Sequence, residues 1–247
     1  MRQVGKITEL WRYPVSSVTG ELLEQAEVSA DGLAGDRRFA LVEVSSGIVA
    51  HPERDRQWQK CVFVKSRTTS AGTVEVKAPD HDWRGVNDPH LALELTDFFG
   101  FDVALRPYER TRAGTSDVEV AKDRYQVSPL HLLTSASIDH LKSIHPAGDP
   151  DRRRFRPNIV VETSKDITGF AELDWIDKGV RLGEVEGTVI APTKRCGFTI
   201  IEQGGLPNDP EILRNIMRFG GRNMGVYCAP AETGVLKVGD LVNLDQG

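Results

Sequence analysis

Apolar residues in this chain recur mostly at every second position, in short stretches interrupted by Gly, Pro, Asp or Ser. Val4 to Tyr13 alternates in this way and is closed by Pro14. Leu22–Val28, Phe39–Val44, Cys61–Lys65, Thr73–Val76 and Asp102–Leu105 follow the same pattern. In the second half it returns in Asn158–Glu162, Val180–Leu182, Gly187–Ile190, Phe198–Ile201, Gly225–Cys228 and Val235–Leu244. A period of two sends alternate side chains to opposite faces of a strand. Many short strands separated by turn residues imply a sheet that closes on itself or folds into a sandwich.

Three segments break the pattern and read as helices. Asp88-Pro89 supplies an N-cap and a first-turn proline for His90–Phe99, which ends at Gly100. Thr134 or Ser135 caps Ala136–Ile144, stopped by Pro146. Asp209-Pro210 repeats the first device for Glu211–Phe219, ended by Gly220-Gly221. Tyr108–Val118 has little periodicity and reads as a linker, and His145–Arg154 reads as an exposed loop. The expected fold is β-rich α+β, in two β-barrel halves, within the one or two domains that 247 residues allow.

Charge and cysteine usage narrow the function. The 31 Lys and Arg against 36 Asp and Glu leave a net charge of −5, which argues against nucleic acid as the main partner. Cys61, Cys196 and Cys228 are scattered, so no disulfide framework or Cys/His metal quartet can be built, and free thiols point to a reducing compartment. Charged residues in the first fifteen positions rule out a signal-peptide core there, and no run of about 18 apolar residues occurs. A cytoplasmic chain without membrane contact is expected. Phosphate-loop, nucleophile-elbow, zinc-helix and dinucleotide motifs are all missing.

What remains are polar and basic residues at the ends of expected strands. Cys196 follows Lys194 and Arg195; two cations favour the thiolate, the nucleophilic and metal-ligating form, although a buried structural cysteine beside surface charges fits the spacing as well. Cys61 and Cys228 lie in alternating apolar patterns and read as structural. Arg156 and Asn158 flank Pro157 and offer a planar fork and an amide, for an anion and a heterocycle edge, or Arg156 is simply a solvated loop residue. Arg37 follows Asp36 in a Gly turn, where the two could pair. Thr134 and Ser135 enter a helix, as an anion site or as an ordinary cap.

Taken in order, these segments resemble one family. Trp11-Arg12-Tyr13-Pro14-Val15-Ser16-Ser17 is similar to the Y-P-V-K-S opening of the MOSC family. The likeness continues through Gly35-Asp36-Arg37-Arg38-Phe39, Ser128-Pro129-Leu130, Leu133-Thr134-Ser135-Ala136-Ser137 and Phe155-Arg156-Pro157-Asn158-Ile159-Val160. It ends in Lys194-Arg195-Cys196, Gly225-Val226-Tyr227 and Gly234–Asp240, so that nearly the whole chain is covered. The resemblance implies an N-terminal β-barrel-like domain, residues 1–110, followed by a MOSC β-barrel domain, residues 111–247, with a few helices.

Better-known members, the amidoxime-reducing components of mitochondria and their bacterial counterparts, hold a molybdenum cofactor in its molybdopterin form. The resemblance therefore implies Cys196 as metal ligand and catalytic residue, and Ser17, Arg37, Thr134, Ser135, Arg156, Asn158 and Arg195 as cofactor contacts. The implied activity is reduction of an N-hydroxylated small molecule. The other reading left open is sulfur transfer through a persulfide on Cys196, with a sulfur donor as partner. Ser16 stands where the family motif has lysine, removing one cation. The chain has no C-x₄-C-x₂-C motif, so no iron–sulfur cluster is expected, and electrons would come from a separate ferredoxin- or flavin-type protein.

Overall fold

The computed structural model describes residues 1–109, 119–122 and 129–246. In chain order these form β1 (Arg2–Arg12), β2 (Glu21–Leu23), β3 (Gln25–Ser29), β4 (Gly32–Leu33), β5 (Phe39–Glu43), β6 (Lys65–Thr68), β7 (Val74–Lys77) and β8 (Arg84–Gly85). Helix α1 (Pro89–Phe99), β9 (Val103–Pro107), β10 (Leu130–Thr134), α2 (Ser135–Ile144), β11 (Ile159–Thr163), β12 (Gly179–Leu182) and β13 (Val185–Lys194) follow. The chain ends with α3 (Pro210–Phe219), β14 (Asn223–Pro230), β15 (Gly234–Lys237) and β16 (Leu241–Leu244). Most of the linker expected at Tyr108–Val118 lies outside the described residues, as does Ser128.

The chain divides into two compact units that interleave in sequence. The first comprises Met1–Trp11, Leu22–Ala34 and Val127–Gly247, the second Arg12–Glu21 and Gly35–Gln126. Each unit therefore draws on more than one stretch of the chain. The reason is long-range strand pairing: β1 pairs with β11 and β16, and β3 pairs with β15.

In the first unit seven strands close into a barrel in the order β11-β10-β14-β13-β12-β16-β1, with β1 returning to β11. Closure leaves no unpaired edge. The one parallel pairing, β10 with β11, requires a crossover, which α2 supplies. Strand alternation then sorts the side chains of β10. Leu130 and Leu132 enter the barrel core with Ile7, Ile159 and Val226, while Leu133 packs outside against Leu141, Ile212 and Ile216 of α2 and α3. His131 shares the outward face with Leu133.

The second unit packs α1 and the strands β5–β9 and β6–β8 around Trp58, whose ring lies 4.9 Å from Phe101 and 5.4 Å from Phe99. Among the described residues no helix is long and apolar enough to cross a membrane.

All three helices start as their caps predict. Asp88, Thr134 and Asp209 accept from the backbone N–H groups of His90, Ser137 and Glu211. Five expectations are corrected. Cys61–Lys65 is not a strand; a 3₁₀ segment runs over Arg56–Phe63, capped by Asp55, and the strand begins at Lys65. Trp58, Cys61 and Val62 share its buried face at helical spacing, a period that begins before the alternating stretch.

Phe198–Ile201 is likewise a 3₁₀ turn, Gly197–Ile200, not a strand. Carbonyls that a ladder would have used are taken by the Arg154 guanidinium, which donates to the oxygens of Thr199 and Ile201 at 3.3 Å and of Pro207 at 2.7 Å. Arg154 is thus buried to 1% exposure, so His145–Arg154 is not wholly an exposed loop. Finally, Leu22–Val28 and Val235–Leu244 each break into two strands, the latter at Gly239 with φ 97°.

Candidate functional site

Cys196 lies at the end of β13, in extended conformation, and opens the 3₁₀ turn Gly197–Ile200. Thr199 pins that turn, donating both its backbone N–H and its hydroxyl to the Cys196 carbonyl at 3.1 and 3.0 Å. The Cys196 thiol is half-buried, whereas Cys61 and Cys228 are enclosed in the cores. Two residues beyond Cys196, the Phe198 ring carries the Arg156 guanidinium 5.4 Å from its centre. The structure thus brings Arg156 and the turn of Cys196 together from segments forty residues apart in sequence.

Arg156 sits directly before Pro157 with φ 55°. A residue preceding proline favours extended backbone, and a side chain other than glycine at positive φ is strained. Such strain is retained where surrounding structure over-determines it, and it concentrates at functional sites. Among the described residues only six non-glycine residues have positive φ, and Ser17 (69°), Arg37 (48°) and Arg156 are three of them.

In the second unit, Ser17 is half-buried. Arg37 donates its backbone N–H to Tyr13 O at 2.7 Å, ion-pairs with Asp36 and stacks 5.2 Å from the centre of the Tyr13 ring. The pairing with Asp36 that the sequence allowed is therefore present. Asp36 also accepts from Tyr13 N–H at 2.7 Å, which locks the Gly turn against the end of β1. Ser16, at the family's lysine position, donates its N–H to Phe39 O.

The other motif residues bond to neighbouring segments of the first unit. Asn158 accepts from His131 N–H at 3.1 Å and donates to Trp11 O at 3.2 Å, joining β10, β11 and β1. Ser135 Oγ lies 3.1 Å from Thr163 Oγ1 and accepts from Thr163 N–H at 3.0 Å. Thr134 caps α2 and donates its hydroxyl to Glu172 at 2.5 Å. Arg195 is 6% exposed and donates to the carbonyls of Met224 (2.7 Å) and Phe155 (2.9 Å) and to His131 Nε2 (2.5 Å). Burial pulls the Arg195 guanidinium down to about 10, with Tyr227, Cys196 and Glu172 opposing the shift. Lys194, by contrast, is exposed.

Two residues that sequence reasoning missed complete this arrangement. Glu172 is fully buried and accepts from Thr134, from Ser137 Oγ (2.6 Å) and from Gly225 N–H (2.8 Å); burial raises its carboxyl above the usual range despite those bonds. The only sequence signal was the hydroxyl pair Thr134 and Ser137, three apart at a helix start and in need of a shared acceptor. His131 stands alone among leucines in β10, and a histidine in an otherwise apolar strand was the available clue.

Comparison with known proteins bears on this geometry. Residues 112–243 match the family model of the MOSC domain, and residues 4–105 that of the MOSC N-terminal beta barrel domain. Mitochondrial amidoxime reducing component 2 of Macaca fascicularis is 28% identical over 291 aligned positions, covering 98% of this chain and 84% of that protein. Mitochondrial amidoxime-reducing component 1 of Homo sapiens is 23% identical, covering 99% and 84%. The crystal structure of the YuaD protein from Bacillus subtilis shares the fold with a TM-score of 0.52 at 10% identity, covering 99% of this chain and 97% of that one.

Proposed function

The chain belongs to the MOSC family, and from that premise we propose that it is a molybdenum cofactor-dependent oxidoreductase that reduces N-hydroxylated small molecules with electrons from a separate redox protein. Support comes from the relatives named for amidoxime reduction and, above all, from one observation. The strained Arg156 guanidinium is held over Phe198 beside the turn of Cys196, the most exposed of the three thiols.

The donor set fits the cofactor. A cysteine thiolate is a soft ligand suited to a redox metal, and a guanidinium fork suits a phosphate. In this reading Cys196, the half-buried thiol, is the ligand the chain would supply. Arg156 would hold the phosphate. Thr134, Ser135, Asn158 and Arg195 spend polar atoms inside the barrel wall and, in this reading, shape the surface that faces the cofactor.

When bound, the cofactor would supply two-electron redox and oxygen-atom-transfer chemistry. The net reaction breaks the N–O bond, consumes two electrons and two protons, and yields the amine and water. The chain's part is to orient: Thr199 fixes the Cys196 carbonyl, and the Phe198 ring fixes the direction of the Arg156 fork.

The test is molybdenum per chain after expression in a host that makes the cofactor, together with consumption of a benzamidoxime by protein reduced with methyl viologen. About one molybdenum per chain and turnover support the reading. Metal-free protein carrying a persulfide on Cys196 would replace it with sulfur transfer.

A further inference from the structure

A buried polar chain includes Arg195, the residue before Cys196, and two of its members, Glu172 and His131, have no role in the function proposed above. Its first part centres on Glu172, whose oxygens gather Thr134, Ser137 and the N–H of Gly225. Gly225 has φ 81°, and a Cβ there would come within 2.5 Å of His131 Nε2 and 2.9 Å of Arg195 Nη2. Glycine is required so that β14 can close on the second part of the chain, the pair His131 and Arg195.

The partners of His131 determine its protonation. Arg195 Nη2 lies 2.5 Å from Nε2, and the carbonyl oxygen of Arg156 lies 3.1 Å from Nδ1. A guanidinium can only donate and a carbonyl can only accept. Both bonds are satisfied only by a neutral ring with its proton on Nδ1. One imidazole therefore joins the residue preceding Cys196 to the backbone of Arg156, at the point where that backbone is strained. His131 is itself 4% exposed and tied through its N–H to Asn158, so the ring has little freedom to turn.

We propose that His131 is a positioning residue, whose neutral ring sets the placement of the Arg195–Cys196 backbone relative to Arg156. It touches no ligand and acts through the two residues it connects. That these residues serve a cofactor rests on the function proposed above; the connection itself does not.

The test compares His131→Leu, which removes both hydrogen bonds of the ring, with His131→Gln, whose amide offers both a donor and an acceptor. Hydrogen exchange is read on peptides covering residues 155–158 and 195–201, beside molybdenum per chain. In the leucine variant, exchange in those two segments is expected to rise about fivefold, the change in open population when one net hydrogen bond is lost. Peptides from β12 and β16 should stay unchanged, and molybdenum should fall. The glutamine variant should restore both readouts, which a general loss of packing would not allow.

Unchanged exchange in the leucine variant, or a rise spread over the whole barrel that glutamine does not reverse, would overturn the proposal. If His131→Leu fails to fold, His131→Gln alone decides: wild-type exchange in both segments supports the proposal, and a selective rise there overturns it. Wild-type protein without molybdenum overturns the proposed function, and the exchange pattern still decides the role of His131.

Discussion

Burial pushes the Cys228 thiol up to about 12, so it offers no thiolate at neutral pH, and Cys61 is wholly enclosed and offers no path to a ligand. Cys196→Ala is therefore expected to abolish molybdenum binding and turnover. Cys61→Ser and Cys228→Ser should keep molybdenum per folded chain, and Cys228→Ser should lower the urea midpoint, since burying an unpaired hydroxyl costs about 1–3 kcal/mol. At Arg156 two demands conflict. Arg156→Lys should weaken cofactor retention by about 1.5–3 kcal/mol for each charged hydrogen bond lost, because an ammonium cannot reproduce the fork. Arg156→Gly should also lose the cofactor, yet its melting temperature should not fall, because glycine releases about 1 kcal/mol of backbone strain. A melting temperature well below wild type would show that the conformation is not strained. Glu172 adds a pH signature. Burial raises its folded-state pKa, so the folded chain keeps a proton that the unfolded chain releases. Stability present at acid pH is then lost as pH rises from about 4.3 towards the raised value. Urea titrations across that range should show wild type losing ground to Glu172→Gln, and parallel curves would refute the assignment.

At the level of elements, the Arg154 guanidinium ties the 3₁₀ turn after Cys196 to the segments around it. Arg154 reaches Asp149 O, Thr199 O, Ile201 O and Pro207 O, four carbonyls that no strand partner takes. Arg154→Met keeps much of the side-chain volume and removes all four bonds. It is expected to cost about 3 kcal/mol or more in urea unfolding and to speed exchange first in residues 197–207. An undiminished urea midpoint would mean that the turn is set by its own sequence. The helices behave differently. Each carries its start signal within its first residues (Asp88, Thr134, Asp209) and forms where that local signal places it.

For the whole molecule, the interleaved units imply that the MOSC segment is incomplete without the start of the chain. β1 pairs with both β11 and β16, so a fragment of residues 111–247 would have an open barrel with two unpaired edges. Such a fragment is expected to show no cooperative melt by circular dichroism, and a sharp transition would show that the barrel closes another way. The sequence by itself determined what is local or ordered along the chain. Capping dipeptides located all three helices, and alternation located most strands because the period of two is written residue by residue. The order of motifs was enough to identify the family. Tertiary structure decided what depends on distant partners. It brought β1 beside strands some 150 residues away, turned two apolar stretches into 3₁₀ segments, and buried Arg154, a residue that reads as solvated. It also settled which polar groups are spent inside. Arg195, Asn158 and Thr134, which the motifs mark in one dimension, each meet a buried acceptor or donor supplied by a remote segment. A side chain's hydrogen bonds go to whatever the fold places within about 3 Å, and sequence spacing does not carry that distance.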